Sequence, residues 1–147
     1  MKITIIGTGY VGLVSGICLA KLGHKVVCVD KDEDKIAKLQ QNIIPIFEPG
    51  LKELLLEVKS QILFTTNLKT ALDESLAIVI AVGTPQDEDG SADLSFVLSC
   101  AKEIAQFSHD YKLVITKSTV PVGTGFKVSE VIKKNNPSLN FDVASNP

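Results

Sequence analysis

The 147 residues suffice for one domain, which at this size buries roughly 68–70% of the surface of its unfolded chain. Hydrophobic residues make up 45% of the chain and charged ones 22%, which excludes a disordered segment, and a net charge of -2 leaves no basic footprint for nucleic acid. No window holds the ~18 uninterrupted apolar residues of a membrane span, and the opening apolar run is too short for a signal-peptide core, so a cytoplasmic protein is expected.

Lys2–Ile6 is a β-rich run that stops at glycine, and Val11–Leu22 continues at helical spacing through Val11, Val14, Ile17 and Cys18 until Gly23 closes it. Lys25–Val29 predicts a second buried strand, and Lys31–Gln41 a charged helix with Ile36 and Leu39 on one face. After a loop over 43–50, Leu51, Leu54, Leu55 and Val58 mark a helix. Gln61–Thr65 follows as a strand, Asn67–Asp73 as a short helix and Leu76–Val82 as a strongly apolar strand. Gly83–Asp93 is turn-rich, Leu94–Phe107 helical, Leu113–Thr116 a strand, Gly123–Lys133 a helix and Phe141–Ala144 a sixth strand. Strands alternating with helices imply crossover units and a mostly parallel sheet covered on both faces. The expected class is α/β: a Rossmann, doubly wound sheet of six strands in the order 3-2-1-4-5-6.

Gly7-Thr8-Gly9-Tyr10-Val11-Gly12 follows a strand and opens a helix, the context in which a G-x-G-x-x-G spacing carries chemistry. Gly7 then makes the tight turn, Gly9 lets the backbone approach a pyrophosphate, and Gly12 lets the helix pack on the sheet. The free N–H groups and dipole of the helix start favour the phosphates. Asp30 closes the second strand, where an acid accepts hydrogen bonds from both adenosine ribose hydroxyls and repels a 2′-phosphate, so NAD is preferred over NADP. Lys31 beside it is a complication, because a cation there tolerates a phosphate. Lys35, one turn further on, leans over the ribose or is simply solvated.

Val82-Gly83-Thr84-Pro85 and Lys117-Ser118-Thr119-Val120-Pro121 stand at carboxyl ends of strands, the edge on which open α/β sheets bind ligands. The acids between Gln86 and Asp93 lack the spacing of a calcium loop, so a solvated loop with Asp93 capping the next helix is expected. No metal site is expected, since His24 and His109 are isolated. Cys18, Cys28 and Cys100 lie far apart in apolar stretches, and are read as reduced, buried thiols.

With the segments Pro45–Leu51, Asp89–Leu94, Lys117–Thr124 and Ser145-Asn146-Pro147, these motifs resemble the UDP-glucose/GDP-mannose dehydrogenase family from the first residue to the last. The Lys-Ser-Thr-Val-Pro form looks more like its UDP-glucose branch than its GDP-mannose branch. The resemblance implies two successive NAD-dependent oxidations at C6 of UDP-glucose, through an aldehyde-level intermediate and a thioester, to UDP-glucuronate. By position it implies NAD contacts at Val11, Asp30, Lys35, Thr84 and Thr119, with Thr119 also near a water at the reacting centre. Relatives continue after Asn146-Pro147 into a glutamate-bearing segment, a long central helix that builds the dimer interface, and a second domain with the catalytic cysteine. The chain is therefore expected to be an NAD-binding piece over 1–147 that lacks the central helix and the UDP-binding domain. Alone it is expected to be inactive, and to be a monomer or to associate non-natively. A free-standing NAD-binding module, another nucleotide-sugar dehydrogenase, and a methyltransferase or flavoprotein on the same fold are the competing readings.

Overall fold

The chain runs β1 (Lys2–Ile6), α1 (Tyr10–Lys21), β2 (Lys25–Val29), α2 (Glu33–Gln40), α3 (Leu51–Glu57), β3 (Ile62–Thr65) and α4 (Leu68–Leu72). It continues through β4 (Ala77–Ile80), α5 (Ser95–Phe107), β5 (Lys112–Thr116), α6 (Thr124–Asn135) and β6 (Phe141–Ser145). The computed structural model describes residues 1–86 and 90–146. All pairings are parallel and the order is β3-β2-β1-β4-β5-β6, as the alternation of runs predicts. Parallel neighbours cannot be joined by a tight hairpin, so each crossover carries at least one helix.

Side chains alternate across a strand, and here both faces are apolar. Ile3 and Ile5 of β1 pack with Leu13 and Ile17 of α1, Leu39 of α2 and Leu55 of α3. Ile78 and Ile80 of β4 and Val114 of β5 pack on the other face with Val97 and Ile104 of α5 and Ile132 of α6. The strand order reverses between β1 and β4, so the connections leaving these neighbours diverge and open a crevice at their carboxyl ends.

Helix α1 ends where Gly23 is expected to stop it. Gly23 adopts φ +93°, its N–H donates to the Ala20 carbonyl at 3.0 Å, and the His24 N–H reaches back to the Leu19 carbonyl at 3.2 Å. This paired closure uses carbonyls the helix would otherwise leave bare. Helix α2 starts at Glu33 rather than Lys31, because the Asp32 carboxylate accepts the Lys35 N–H at 2.9 Å and so takes the capping position. Asp93 accepts the Ser95 N–H at 2.8 Å and the Ser95 hydroxyl at 2.9 Å, but Leu94 occupies the capping position itself. Strand β4 stops at Ile80, two residues before its apolar run ends, since the chain then turns off the ladder.

One expectation for the thiols is overturned. Cys28 and Cys100 are buried, but Cys18 is exposed. Leu13, Ile17 and Ala20 define the face of α1 that meets the sheet, and Cys18 lies about 100° round the helix from Ile17. Burial pushes the Cys28 thiol up to about 12. Among the described residues no helix is long and apolar enough to cross a membrane, and no three metal-ligating side chains cluster. Asp87, Glu88 and Asp89 of the acidic loop lie outside the described residues.

Lys112 opens β5 with its side chain 1% exposed, and its ammonium donates to the carbonyls of Leu72 at 3.2 Å and Ser75 at 2.8 Å while pairing with Asp110 at 2.5 Å. These bonds tie the end of α4 to β5, adding a second donor to the Leu72 carbonyl and filling that of Ser75. Lys112→Met keeps the stem but strands the Ser75 carbonyl, the Leu72 carbonyl keeping the Ser75 N–H, so urea unfolding should show a loss of about 2 kcal/mol.

Candidate cofactor site

The turn between β1 and α1 is defined by contacts of its glycines. Gly7 sits at φ +100°, and a Cβ there would lie 2.6 Å from the Ala81 carbonyl oxygen. At Gly12 a Cβ would lie 1.9 Å from the Gly7 carbonyl oxygen, so α1 can leave the turn at this angle only without a side chain. Gly9 differs from both. Nothing stands within 4 Å of its Cβ position, so the fold itself makes no demand for glycine there. That open space lies beside the first turn of α1, which has no side-chain cap and no acidic residue. Uncapped N–H groups facing an open cradle are the donor set an anionic diphosphate requires.

Asp30 lies directly beyond β2 and reaches the same turn. Its Oδ2 accepts the Thr8 N–H at 2.8 Å, the Thr8 hydroxyl at 2.7 Å and the Lys35 ammonium at 3.1 Å, and its Oδ1 accepts the Asp32 N–H at 3.1 Å. Burial pushes the Asp30 carboxyl up, but the Thr8 hydroxyl, the Thr8 and Asp32 N–H groups and the Lys35 ammonium together outweigh it and hold the carboxyl low. It is therefore an anion at neutral pH. Oδ2 is saturated, so the capacity left for ribose hydroxyls is mainly on Oδ1.

The structure gives several of the predicted residues partners within the chain. Thr8 is fully buried and its hydroxyl is engaged by Asp30, so it positions the acid instead of facing the cradle. Ser118 is buried and donates to the Val82 carbonyl at 2.7 Å, and Thr84 donates to the Thr119 carbonyl at 2.8 Å. The two strand-end motifs thus brace one another. Tyr10 and Val11, the latter expected among the apolar spacing of α1, are 54% and 48% exposed at its open end.

A cavity of about 360 Å³ lies at this edge, lined by Gly7, Gly9, Asp30, Lys35, Val82 and Gly83. Thr8, Tyr10, Val11, Gly12, Thr84, Pro85, Ser118 and Thr119 do not line it. The sequence profile of the UDP-glucose/GDP-mannose dehydrogenase family, NAD binding domain, matches residues 1–147. The chain belongs to this family and is its NAD-binding domain.

UDP-glucose 6-dehydrogenase of Rhizobium meliloti is 54% identical over 150 residues, which cover 100% of this chain and 34% of that protein. UDP-glucose 6-dehydrogenase TuaD of Bacillus subtilis is 48% identical over 99% of this chain and 32% of its own length. Among solved structures, a UDP-glucose dehydrogenase from Pyrobaculum islandicum matches with a TM-score of 0.94 at 36% identity, covering 99% of this chain and 35% of that one. A GDP-mannose dehydrogenase from Pseudomonas aeruginosa gives 0.92 at 35%, covering 100% and 36%. The chain spans about one third of the length of the curated relatives it matches.

The NAD-binding domain also has cavity residues that sequence reasoning missed. Thr66 follows β3 at the same carboxyl edge, and the strand-end rule applied to Asp30 would have found it. Phe96, Cys100 and Glu103 form the facing wall from α5. Their spacing of four and three residues is one helical stripe, hidden because the apolar members read equally well as core. Burial pushes the Cys100 thiol up to about 11, with Glu103 adding to the rise and Lys31 opposing it.

The glycines separate packing from binding. Gly12→Ala should destabilise the domain by about 3 kcal/mol or more, while Gly9→Ala should stay within about 1 kcal/mol of wild type by thermal melting yet lose at least about tenfold in NAD affinity. For Asp30, whose folded pKa is depressed, the stabilising contribution is full above the unfolded value and disappears as pH falls through the folded one. The stability advantage of wild type over Asp30→Asn, measured in urea, should be flat above about pH 5 and shrink below about pH 4.

Proposed function

We propose that this chain is the cofactor half of an enzyme that oxidises C6 of UDP-glucose to UDP-glucuronate with two NAD, acting in the cytoplasm and catalytically silent without the remainder of the protein. The observation that carries the reading is the pairing of an open Gly9 cradle at an uncapped helix start with an ionised Asp30 that Thr8 holds across it. When bound, NAD supplies the hydride acceptor. The chain's own residues bind and orient. The backbone of Gly9, Tyr10 and Val11 takes the diphosphate, Asp30 Oδ1 and Lys35 take the adenosine ribose, and Gly7, Thr8 and Gly12 hold the turn that aims them. Val82, Gly83, Thr84 and Pro85 line the approach to the nicotinamide side, and Ser118 fixes β5 against β4 there. Thr119, exposed at the end of β5, is the residue we place beside the reacting centre.

The substrate assignment is supported by relatives named for UDP-glucose at 54% and 48% identity. GDP-mannose is the second reading, because the fold of a dehydrogenase named for it is nearly as alike. Calorimetric titration of the chain with NAD, NADP and S-adenosylmethionine should give saturable heat with NAD and an affinity for NADP at least about tenfold weaker. Saturation with S-adenosylmethionine and none with NAD would overturn the cofactor reading. For the longer protein of which we read this chain as a part, initial rates of NADH formation should favour UDP-glucose over GDP-mannose. The reverse order would overturn the substrate reading alone.

A further inference from the structure

Two lysines approach the cavity from the β2–α2 side, and each has its own carboxylate. Lys35 pairs with Asp30 at 3.1 Å. Lys31, the residue after Asp30, pairs instead with Glu103 of α5 at 3.4 Å, and both of these side chains line the cavity. Glu103 is the better held partner. Its side chain is 29% exposed against 80% for Lys31, and it also accepts the Ser99 hydroxyl at 3.3 Å.

In dinucleotide sites that accept a 2′-phosphate, a cation near the end of the second strand meets it. Lys31 occupies that position but is drawn across the cavity mouth. We propose that Glu103 is a second determinant of cofactor choice, which holds Lys31 away from the adenosine ribose and so disfavours a dinucleotide carrying a 2′-phosphate. A phosphate arriving there must compete for Lys31 with a carboxylate already in place. The inference rests on the proposed NAD reading and assigns a function to α5 that the glycine turn does not supply.

The test is calorimetric titration of the wild-type chain, Glu103→Gln and Lys31→Met/Glu103→Gln with NAD and with NADP at low salt, with a thermal melt of each. Wild type should bind NAD, and Glu103→Gln should lower the ratio of the NADP Kd to the NAD Kd about three- to fivefold. The double variant should lose that gain, and raised salt should erode it. A ratio within twofold of wild type in Glu103→Gln overturns the proposal, as does a gain that survives removal of Lys31. If Glu103→Gln does not fold, Glu103→Asp, which withdraws the carboxylate from Lys31, is judged by the same ratio. Failure of wild type to bind either dinucleotide overturns the NAD reading instead, so the two failures are distinct.

Discussion

The approach of α1 to the turn that precedes it sets the geometry of everything at the carboxyl edge of the sheet. The Gly12 backbone lies so near the Gly7 carbonyl that any side chain would overlap it, and Gly7 in turn lies against Ala81 beyond β4. These contacts lock the helix start, the turn and the end of a neighbouring strand into one unit. A second close approach, Gly16 against the Cys28 thiol with a Cβ position 2.7 Å away, holds α1 onto β2 along its length. Because interiors pack to crystal density, such approaches transmit position, and the open end of α1 is aimed by packing far from any ligand.

Asp30 links this frame to electrostatics. Its hydrogen bonds from Thr8 fasten the end of β2 to the β1–α1 turn, so the charge proposed to select the cofactor is also a structural tie. A partly buried carboxylate is tolerated only when its lone pairs are occupied, and four donors meet that condition without any ligand. The site is thus preorganised in charge as well as shape. Less reorganisation is left for binding to drive.

Much of this was legible in the sequence because the signals were local. Strand and helix limits for Lys2–Ile6 and Lys25–Val29 follow from apolar runs bounded by glycine or charge, and the sheet order follows from their alternation with helices. The glycine turn and Asp30 could be read because a motif of fixed spacing stands in a strand-to-helix context. What could not be read was how side chains are shared over long range. Thr8 looked like a contact residue, but its hydroxyl is used 22 positions away. Cys18 looked buried because its neighbours are apolar, although facing depends on where α1 meets the sheet. The α5 wall of Phe96, Cys100 and Glu103 is invisible without the fold, since only the fold brings Glu103 of α5 to Lys31 beyond β2.

The two ends of the crevice are built from different interactions, and this difference bears on how each behaves. At the β4–β5 end, Ser118 to Val82 and Thr84 to Thr119 are hydrogen bonds to backbone carbonyls, and the Lys117 and Ser118 N–H groups both donate to Ile80. Such bonds fix main chain against main chain, and they depend little on salt. At the β2–α2 end, the Lys35–Asp30 pair is partly buried, while the Lys31–Glu103 pair joins side chains nearer the surface, where such a pair is worth little and is screened by ions. Weak pairs are easily re-partnered. In the proposed reading, cofactor discrimination falls to the adjustable end of the crevice, while the end nearest Thr119, proposed to stand beside the reacting centre, is held by bonds to backbone carbonyls.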